Sequence, residues 1–91
     1  MNKKVFVIGS VSYMDSIMKA VEHYKNLGYD VSHVLPQKDK SVDYLIQQAF
    51  RHIEEADVVV AVLKEDGDVG TGTMYELTFA KHLKKEIHYY K

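Results

Sequence analysis

Residues 57–63 read DVVVAVL, in which six apolar residues follow a single aspartate without interruption. An unbroken apolar run of this length is typical of a strand that is covered on both faces, as strands are in parallel sheets. A second run, KVFVI at residues 4–8, is rich in β-branched and aromatic residues and ends at Gly9-Ser10. This pattern predicts another buried strand that is followed by a tight turn.

Two further segments read as strands. YDVSHVL, residues 29–35, is closed by Pro36 and a polar loop, and EIHYY, residues 86–90, lies at the C-terminus of the sequence. The segments between the strands have helical spacing of apolar residues. One of them starts at Met14, with Ser12 as its predicted N-cap and Gly28 as its stop.

A second helix is predicted to begin after the N-cap Ser41. Its apolar residues form one clean face, made of Val42, Leu45, Ile46, Ala49, Phe50 and Ile53. A third helix follows the glycine-rich loop after residue 63. Four strands therefore alternate with three helices, which implies right-handed crossovers and a parallel sheet. We predict an α/β fold of the flavodoxin-like (Rossmann-like) type, a three-layer sandwich around a small four-stranded sheet in the order 2-1-3-4.

The composition limits the function classes. With 91 residues the chain is long enough for one core and too short for two, so residues 1–91 are predicted to form one domain. The net charge of −1 and the interleaved charges favour neither nucleic acid nor a membrane as partner. The chain has no cysteine, and its five histidines lack metal-ligand spacing. We therefore expect a cytoplasmic protein without a metal site or a cofactor.

In a sheet of this order, ligands bind beyond the carboxyl ends of the strands, where the winding reverses between the first and third strands. Two loops are predicted to meet there, GSVSY at residues 9–13 and KEDGDVGTGT at residues 64–73. The second loop holds Gly67, Gly70 and Gly72. These glycines either supply turn conformations or let the backbone approach a ligand with free amides. Neither a Walker A motif nor a dinucleotide fingerprint is present.

Glu76 follows this loop, and two interpretations of it are open. If Thr73 is the N-cap of the third helix, TMYE is a capping box in which Glu76 reaches back to the Thr73 amide. At 100° per residue, however, Glu76 falls near the middle of an apolar arc, which is formed by Leu77, Phe79, Ala80 and Leu83. An inward carboxylate is costly to desolvate, and such groups cluster in functional clefts.

The stretch ADVVVAVLKEDGDVGTGTMYELTFAKHLKKEIHYY, residues 56–90, resembles the C-terminal half of the nucleoside 2-deoxyribosyltransferase family, which includes the 2'-deoxynucleoside 5'-monophosphate N-hydrolases. VFVIGSVS, residues 5–12, is similar to the first strand and turn of that family. The resemblance implies that Glu76 is the nucleophile that attacks C1' of the deoxyribose. It further implies that Asp66 or Asp68 protonates the leaving base or positions the sugar.

The same resemblance implies that the loop after the first strand contacts the sugar or the 5' end of the substrate. The predicted substrate-binding residues are Gly9, Ser10, Ser12, Tyr13, Gly70, Gly72 and Thr73. Several of them also have structural interpretations, since Ser10 and Ser12 can cap a helix and Tyr13 can cover the sheet. Asp66 and Asp68 can likewise be turn formers.

Two departures from the family pattern leave alternatives open. The family carries an acidic residue about two turns before its Ala-Asp pair, and that position here is Ala49. The chain is also shorter than typical members. It is therefore either an enzyme that uses another acid or a non-catalytic nucleotide or nucleoside-derivative binder of the same fold. The resemblance does not fix the base, the need for a 5'-phosphate, or the choice between hydrolase and transferase. It implies a homodimer or higher homo-oligomer, and a small sheet with exposed edges favours one too.

Overall fold

A computed structural model of the protein describes residues 3–33, 41–67 and 69–91. Its sheet consists of β1 (Lys4–Ile8), β2 (Asp30–His33), β3 (Val58–Val62) and β4 (Glu86–Tyr90). All neighbouring strands are parallel, and their order is β2-β1-β3-β4. The α/β fold and the predicted strand order are therefore confirmed. The end of the predicted second strand and Pro36 lie outside the described residues.

In the described parts of the chain three helices flank the sheet, namely α1 (Met14–Asn26), α2 (Val42–Glu55) and α3 (Thr71–His82). A short 3-10 helix, Val11–Tyr13, precedes α1. None of the helices in the described part of the chain is long and apolar enough to span a membrane.

The sheet separates two apolar clusters because successive side chains of a strand point to opposite faces. On one face, α1 packs over a cluster of buried residues, which are Val5, Val7, Ile17, Ala20, Val21, Tyr24, Val58, Val60 and Val62. On the other face, α2 and α3 enclose the second cluster, made of Phe6, Ile8, Ala49, Ile53, Ala56, Val59, Ala61, Val69, Leu77 and Ala80. β1 and β3 contribute to both clusters, as expected for central strands, and the helices form the outer layers of the predicted sandwich.

The start of α1 differs from the prediction. Ser12 is not its N-cap, because the 3-10 helix is inserted between the end of β1 and Met14. The Tyr13 amide donates to the carbonyl of Ser10 at 2.8 Å, which closes that short helix, and the Ser12 hydroxyl lies 2.8 Å from the Ser10 hydroxyl. Neither serine side chain makes a capping hydrogen bond. The predicted stop at Gly28 is confirmed, since its φ of +95° reverses the chain.

The N-cap of α2 is as predicted. The Ser41 hydroxyl accepts a hydrogen bond from the Tyr44 amide at 3.1 Å and so satisfies one of the free donors at the helix start.

The start of α3 also differs from the prediction. Thr73 is not the N-cap, because the helix already begins at Thr71 and Gly70 occupies the N-cap position. Gly70 has a φ of 79°, a conformation that favours glycine and lets the chain enter the helix earlier than a threonine cap would. Glu76 is therefore the sixth residue of the helix rather than the third, and the capping box does not form.

Candidate active site

The carboxyl ends of β1 and β3 lie side by side, since Ile8 is in register with Ala61. The 3-10 helix follows β1, and the loop to α3 follows β3. The winding of the sheet reverses between these two strands, because β2 lies beyond β1 and β4 lies beyond β3. In α/β proteins this edge is the usual position of a ligand site.

Gly9 follows β1 directly and packs closely against its surroundings. A Cβ atom at this position would lie 3.2 Å from side-chain atoms of both Ile17 and Val62. The close packing of α1 against the ends of β1 and β3 therefore favours glycine here without any ligand. Contact of Gly9 with a substrate stays a prediction.

Ser10, Ser12 and Tyr13 are brought together at the start of α1. The two serine hydroxyls are hydrogen-bonded to each other, and Tyr13 is half-buried. Because neither hydroxyl is used as a helix cap, this pair is available to contact the polar end of a ligand. That role stays a prediction.

The loop after β3 contains a tight turn. The Gly67 amide donates to the Lys64 carbonyl at 2.9 Å, and Gly67 has a φ of +85°. Asp66 is exposed in this turn, and Asp68 lies outside the described residues. Val69, which follows, is buried in the apolar cluster that α2 and α3 enclose. The loop is thus tied to the core immediately before α3 begins.

Lys64 lies beside the start of α3, which the sequence did not indicate. A Cβ atom on Gly70 would lie 3.5 Å from Lys64 Cε and 3.7 Å from Lys64 Nζ. The ammonium group therefore stands next to the N-cap of the helix, at its positive end. A lysine after a buried strand carries no sequence signal for such a position, because the position depends on how the loop folds back. Gly72 is exposed, and a Cβ atom at this position would have no neighbouring atom within 4 Å.

Glu76 is the central feature of the candidate site. Its side chain is 9% exposed, and its Oε2 atom accepts no hydrogen bond from the residues that the structure describes. Burial raises the pKa of the Glu76 carboxyl from its ordinary value of 4.5 to about 7, because the charged form loses its hydration. The second interpretation made from the sequence, an inward carboxylate, is therefore the one the structure supports.

The neighbours of Glu76 on its own helix are buried as well. Leu77 is 3% exposed and Ala80 is not exposed at all, and Thr73, one turn earlier, is 3% exposed. In a helix, residues three apart lie on the same side, so the Thr73 hydroxyl and the Glu76 carboxylate share one face. Both of these polar side chains are buried.

Ala49 lies on α2 in the same apolar cluster as Leu77 and Ala80. It is 6% exposed, and the rings of Phe50 and Phe79 stack between α2 and α3 with their centroids 4.1 Å apart. The face that α2 turns toward α3 therefore contributes carbon surface and no acid. Among the described residues there is also no group of three or more acidic or histidine side chains that fits a metal ion.

Chemically, this arrangement offers one buried carboxyl group in a place of low polarity. A poorly hydrated carboxylate is a stronger nucleophile and a stronger electrostatic partner than one in water. The hydroxyls after β1 and the ammonium group of Lys64 are polar groups in the two loops at the same edge of the sheet.

The chain is similar in fold to two solved enzymes. Its superposition on the CMP N-glycosidase BcmB from Clostridium botulinum covers 96% of this chain and 70% of that chain, with a TM-score of 0.70 and 20% identity. A 2-desoxiribosyltransferase from Leishmania mexicana gives a TM-score of 0.66 at 19% identity, with 96% of this chain and 63% of that chain covered. No known protein-family model and no curated protein matches the sequence. The shared fold agrees with the resemblance that the sequence motifs carry.

Proposed function

We propose that this protein cleaves or transfers the N-glycosidic bond of a 2'-deoxynucleoside or its 5'-monophosphate, with the Glu76 carboxylate as nucleophile. The observation that carries the proposal is the buried carboxylate oxygen of Glu76, which has no hydrogen-bond partner in the described structure and lies on the helix that starts at the ligand edge of the sheet. The two solved enzymes of similar fold support it, since one is a CMP N-glycosidase and the other a 2-desoxiribosyltransferase.

In this mechanism the bond between C1' and the base breaks as positive charge develops on the sugar ring. The Glu76 carboxylate stabilises that charge and bonds to C1' to form a glycosyl ester. Water then hydrolyses this ester and releases the free sugar, or a second base accepts the sugar. The choice between hydrolase and transferase depends on the acceptor, since Glu76 has the same role in the first step of both reactions.

Further residues have proposed roles in binding. Asp66 and Asp68 of the glycine loop assist the leaving base or hold the sugar. Ser10, Ser12 and Tyr13, together with the backbone of Gly9, hold the 5' end. Gly70, Gly72 and Thr73 at the start of α3 present backbone and hydroxyl groups to the same ligand.

We also propose that the working form is a homodimer. Met74 and Tyr75 are adjacent in the first turns of α3, where they are 50% and 60% exposed, and contiguous apolar surface of this kind can form part of a protein interface. A second subunit placed there would cover them beside the site. Sedimentation of the protein at micromolar concentration should give a dimer mass, and a monomer mass would contradict the proposal.

The test is chromatography of the free base that is released from a panel of 2'-deoxynucleosides, their 5'-monophosphates and CMP, with and without a second base. The wild-type protein is compared with Glu76→Gln and with Glu55→Gln, a matched change at an exposed glutamate of α2. We expect Glu76→Gln to lower base release by about a thousandfold or more, and Glu55→Gln to leave it unchanged. Equal release by the wild type and Glu76→Gln would refute the assigned role of Glu76.

A second candidate function is non-catalytic binding of a nucleotide or nucleoside derivative. The apolar surface at Ala49 favours it, because this position offers no acid to assist a departing base. A binder of this kind would show saturable binding of nucleotides with no base release. Slow release that disappears in Glu76→Gln would count against it.

A further inference from the structure

The Glu76 carboxylate has no compensating charge in the described structure. Among the described residues, α3 makes most of its contacts with α2, β3 and β4, and its own other titratable residues, Tyr75, Lys81 and His82, are exposed. β3 has no titratable side chain. On α2 the titratable residues are all exposed, and they are Asp43, Tyr44, Arg51, His52, Glu54 and Glu55. On β4, Glu86 and Tyr89 are exposed.

The remaining titratable groups of β4 belong to the opposite face of the sheet. His88 is hydrogen-bonded to Tyr24 of α1 at 3.2 Å, and Tyr90 packs against the α1 cluster. The loop before α3 carries Lys64, which stands at the N-cap, and the exposed Glu65 and Asp66. Burial is thus the cause of the raised pKa of Glu76, without a charged neighbour among the described residues.

Such a buried anion is stabilised most by a ligand that brings a positive charge of its own. The surroundings of Glu76 also bear on the leaving base. A neutral base departs as an anion unless an acid protonates it. Among the residues that the structure describes, the α2 face beside α3 supplies carbon surface at Ala49 and Phe50, and Asp66 is exposed in the turn. A base that is already positively charged needs no proton, because it leaves as a neutral molecule.

We propose that the preferred ligand of the Glu76 site is a nucleoside or nucleotide whose glycosidic nitrogen is cationic, such as a pyridinium nucleoside or an N-alkylated purine nucleoside. The proposal rests on the glycosidic function proposed above and specifies its substrate class. The positive nitrogen would lie next to C1', within reach of the same carboxylate that attacks this carbon.

The reaction balances without an external acid. The electron pair of the C1'–N bond goes to the ring nitrogen, which becomes neutral as the base leaves. The Glu76 carboxylate forms a new C1'–O bond and loses its negative charge, so the ester is neutral. Water then replaces the carboxylate at C1', which yields the free sugar, the regenerated carboxylate and one proton.

The test is a binding comparison that does not depend on turnover. The probes are the carbocyclic analogues of nicotinamide 2'-deoxyriboside 5'-monophosphate and of its benzamide counterpart. The two compounds differ in one ring atom, a cationic nitrogen or a neutral carbon, and neither has a cleavable glycosidic bond. Their dissociation constants are measured by titration calorimetry at pH 8.5 and pH 5.5 for the wild type, Glu76→Gln and the control Glu55→Gln.

At pH 8.5 we expect the wild type and Glu55→Gln to bind the cation at least about tenfold more tightly than the neutral analogue. Glu76→Gln should bind both with similar affinity, and the preference of the wild type should fall toward unity at pH 5.5, where Glu76 is protonated. Equal binding by the wild type at pH 8.5, binding of neither analogue, or a preference that persists in Glu76→Gln would overturn the proposal. Thermal unfolding of each variant verifies that it is folded.

The outcomes separate this proposal from the proposed function. A cation preference that depends on Glu76, without base release from any substrate, would refute the enzyme and retain the ligand class. Base release that depends on Glu76, without a cation preference, would retain the enzyme and refute the ligand class.

Discussion

Replacing Glu76 by glutamine should stabilise the protein at high pH and have little effect at low pH. Glutamine has nearly the same shape as glutamate but cannot ionise. In the folded protein the pKa of Glu76 is about 7, against an ordinary value of 4.5. Between these two pH values the folded state holds a proton that the unfolded state has lost. The stability of the wild type therefore falls as pH rises from 4.5 through 7, and the full cost is present above pH 7.

The size of the effect follows from the two pKa values. Each tenfold difference in proton affinity corresponds to about 1.4 kcal/mol, so a rise from 4.5 to 7 corresponds to about 3 kcal/mol. The free energy of unfolding of Glu76→Gln minus that of the wild type should therefore increase by about 3 kcal/mol from pH 4 to pH 8.5. For a domain of this size such a gain raises the melting temperature by about 10–20 °C.

The assay is guanidinium unfolding followed by circular dichroism at several pH values between 4 and 8.5. The difference between the two variants at each pH removes the contributions of all other titrating groups. Glu55→Gln is the matched control, since this side chain is exposed on α2 and its carboxylate is hydrated in the folded state. If the difference in free energy of unfolding between Glu76→Gln and the wild type stays constant across this range, burial does not destabilise the charged form of the Glu76 carboxylate. Such a result would refute both the raised pKa and the unpaired state of Glu76.

Three further predictions concern the elements that hold the site, and each is measured as a change in the free energy of unfolding at pH 7. Ser41→Ala should lose about 1 kcal/mol because the first turn of α2 loses its capping acceptor, and an unchanged value would refute the cap. Lys84→Gly should gain about 0.5–1 kcal/mol, because Lys84 has a φ of 59°, a backbone conformation that favours glycine. Lys84 occupies the same position after α3 that Gly28 occupies after α1. A loss of stability would show that the lysine side chain stabilises the fold by more than this strain costs. Gly9→Ala should lose about 1–3 kcal/mol because the added methyl group would lie 3.2 Å from atoms on two sides, whereas a neutral result would show that the neighbours yield easily.

Much of the fold follows from the sequence because the hydrophobic pattern is strong. The runs KVFVI and EIHYY correspond residue for residue to β1 and β4, and the strand order follows from the alternation of strands and helices. The inward direction of Glu76 was also predictable, since it depends only on helical periodicity within an apolar arc. These features depend on the spacing of the apolar residues along the sequence and on the burial of apolar surface.

The starts of α1 and α3 could not be predicted in the same way. Ser12 and Thr73 both fit the composition of an N-cap, but the backbone takes other paths before each helix. The 3-10 helix before α1 and the positive φ of Gly70 before α3 are local conformations that depend on how the loops pack on the sheet. The position of Lys64 against Gly70 has the same origin. A residue type can therefore suggest a cap, while the tertiary structure decides which residue occupies it.

The assignment of Glu76 as nucleophile is tested most directly by trapping its bond to the sugar. The protein is incubated with 2'-deoxy-2'-fluoroarabino nucleotides, in which the fluorine slows the release of the glycosyl ester, and the intact mass and peptide masses are measured. We predict an increase by the mass of one fluorosugar phosphate, located on the peptide that contains Glu76 and absent from Glu76→Gln. Base release from these or natural nucleotides without an adduct on Glu76, or an adduct on another residue, would contradict the assignment.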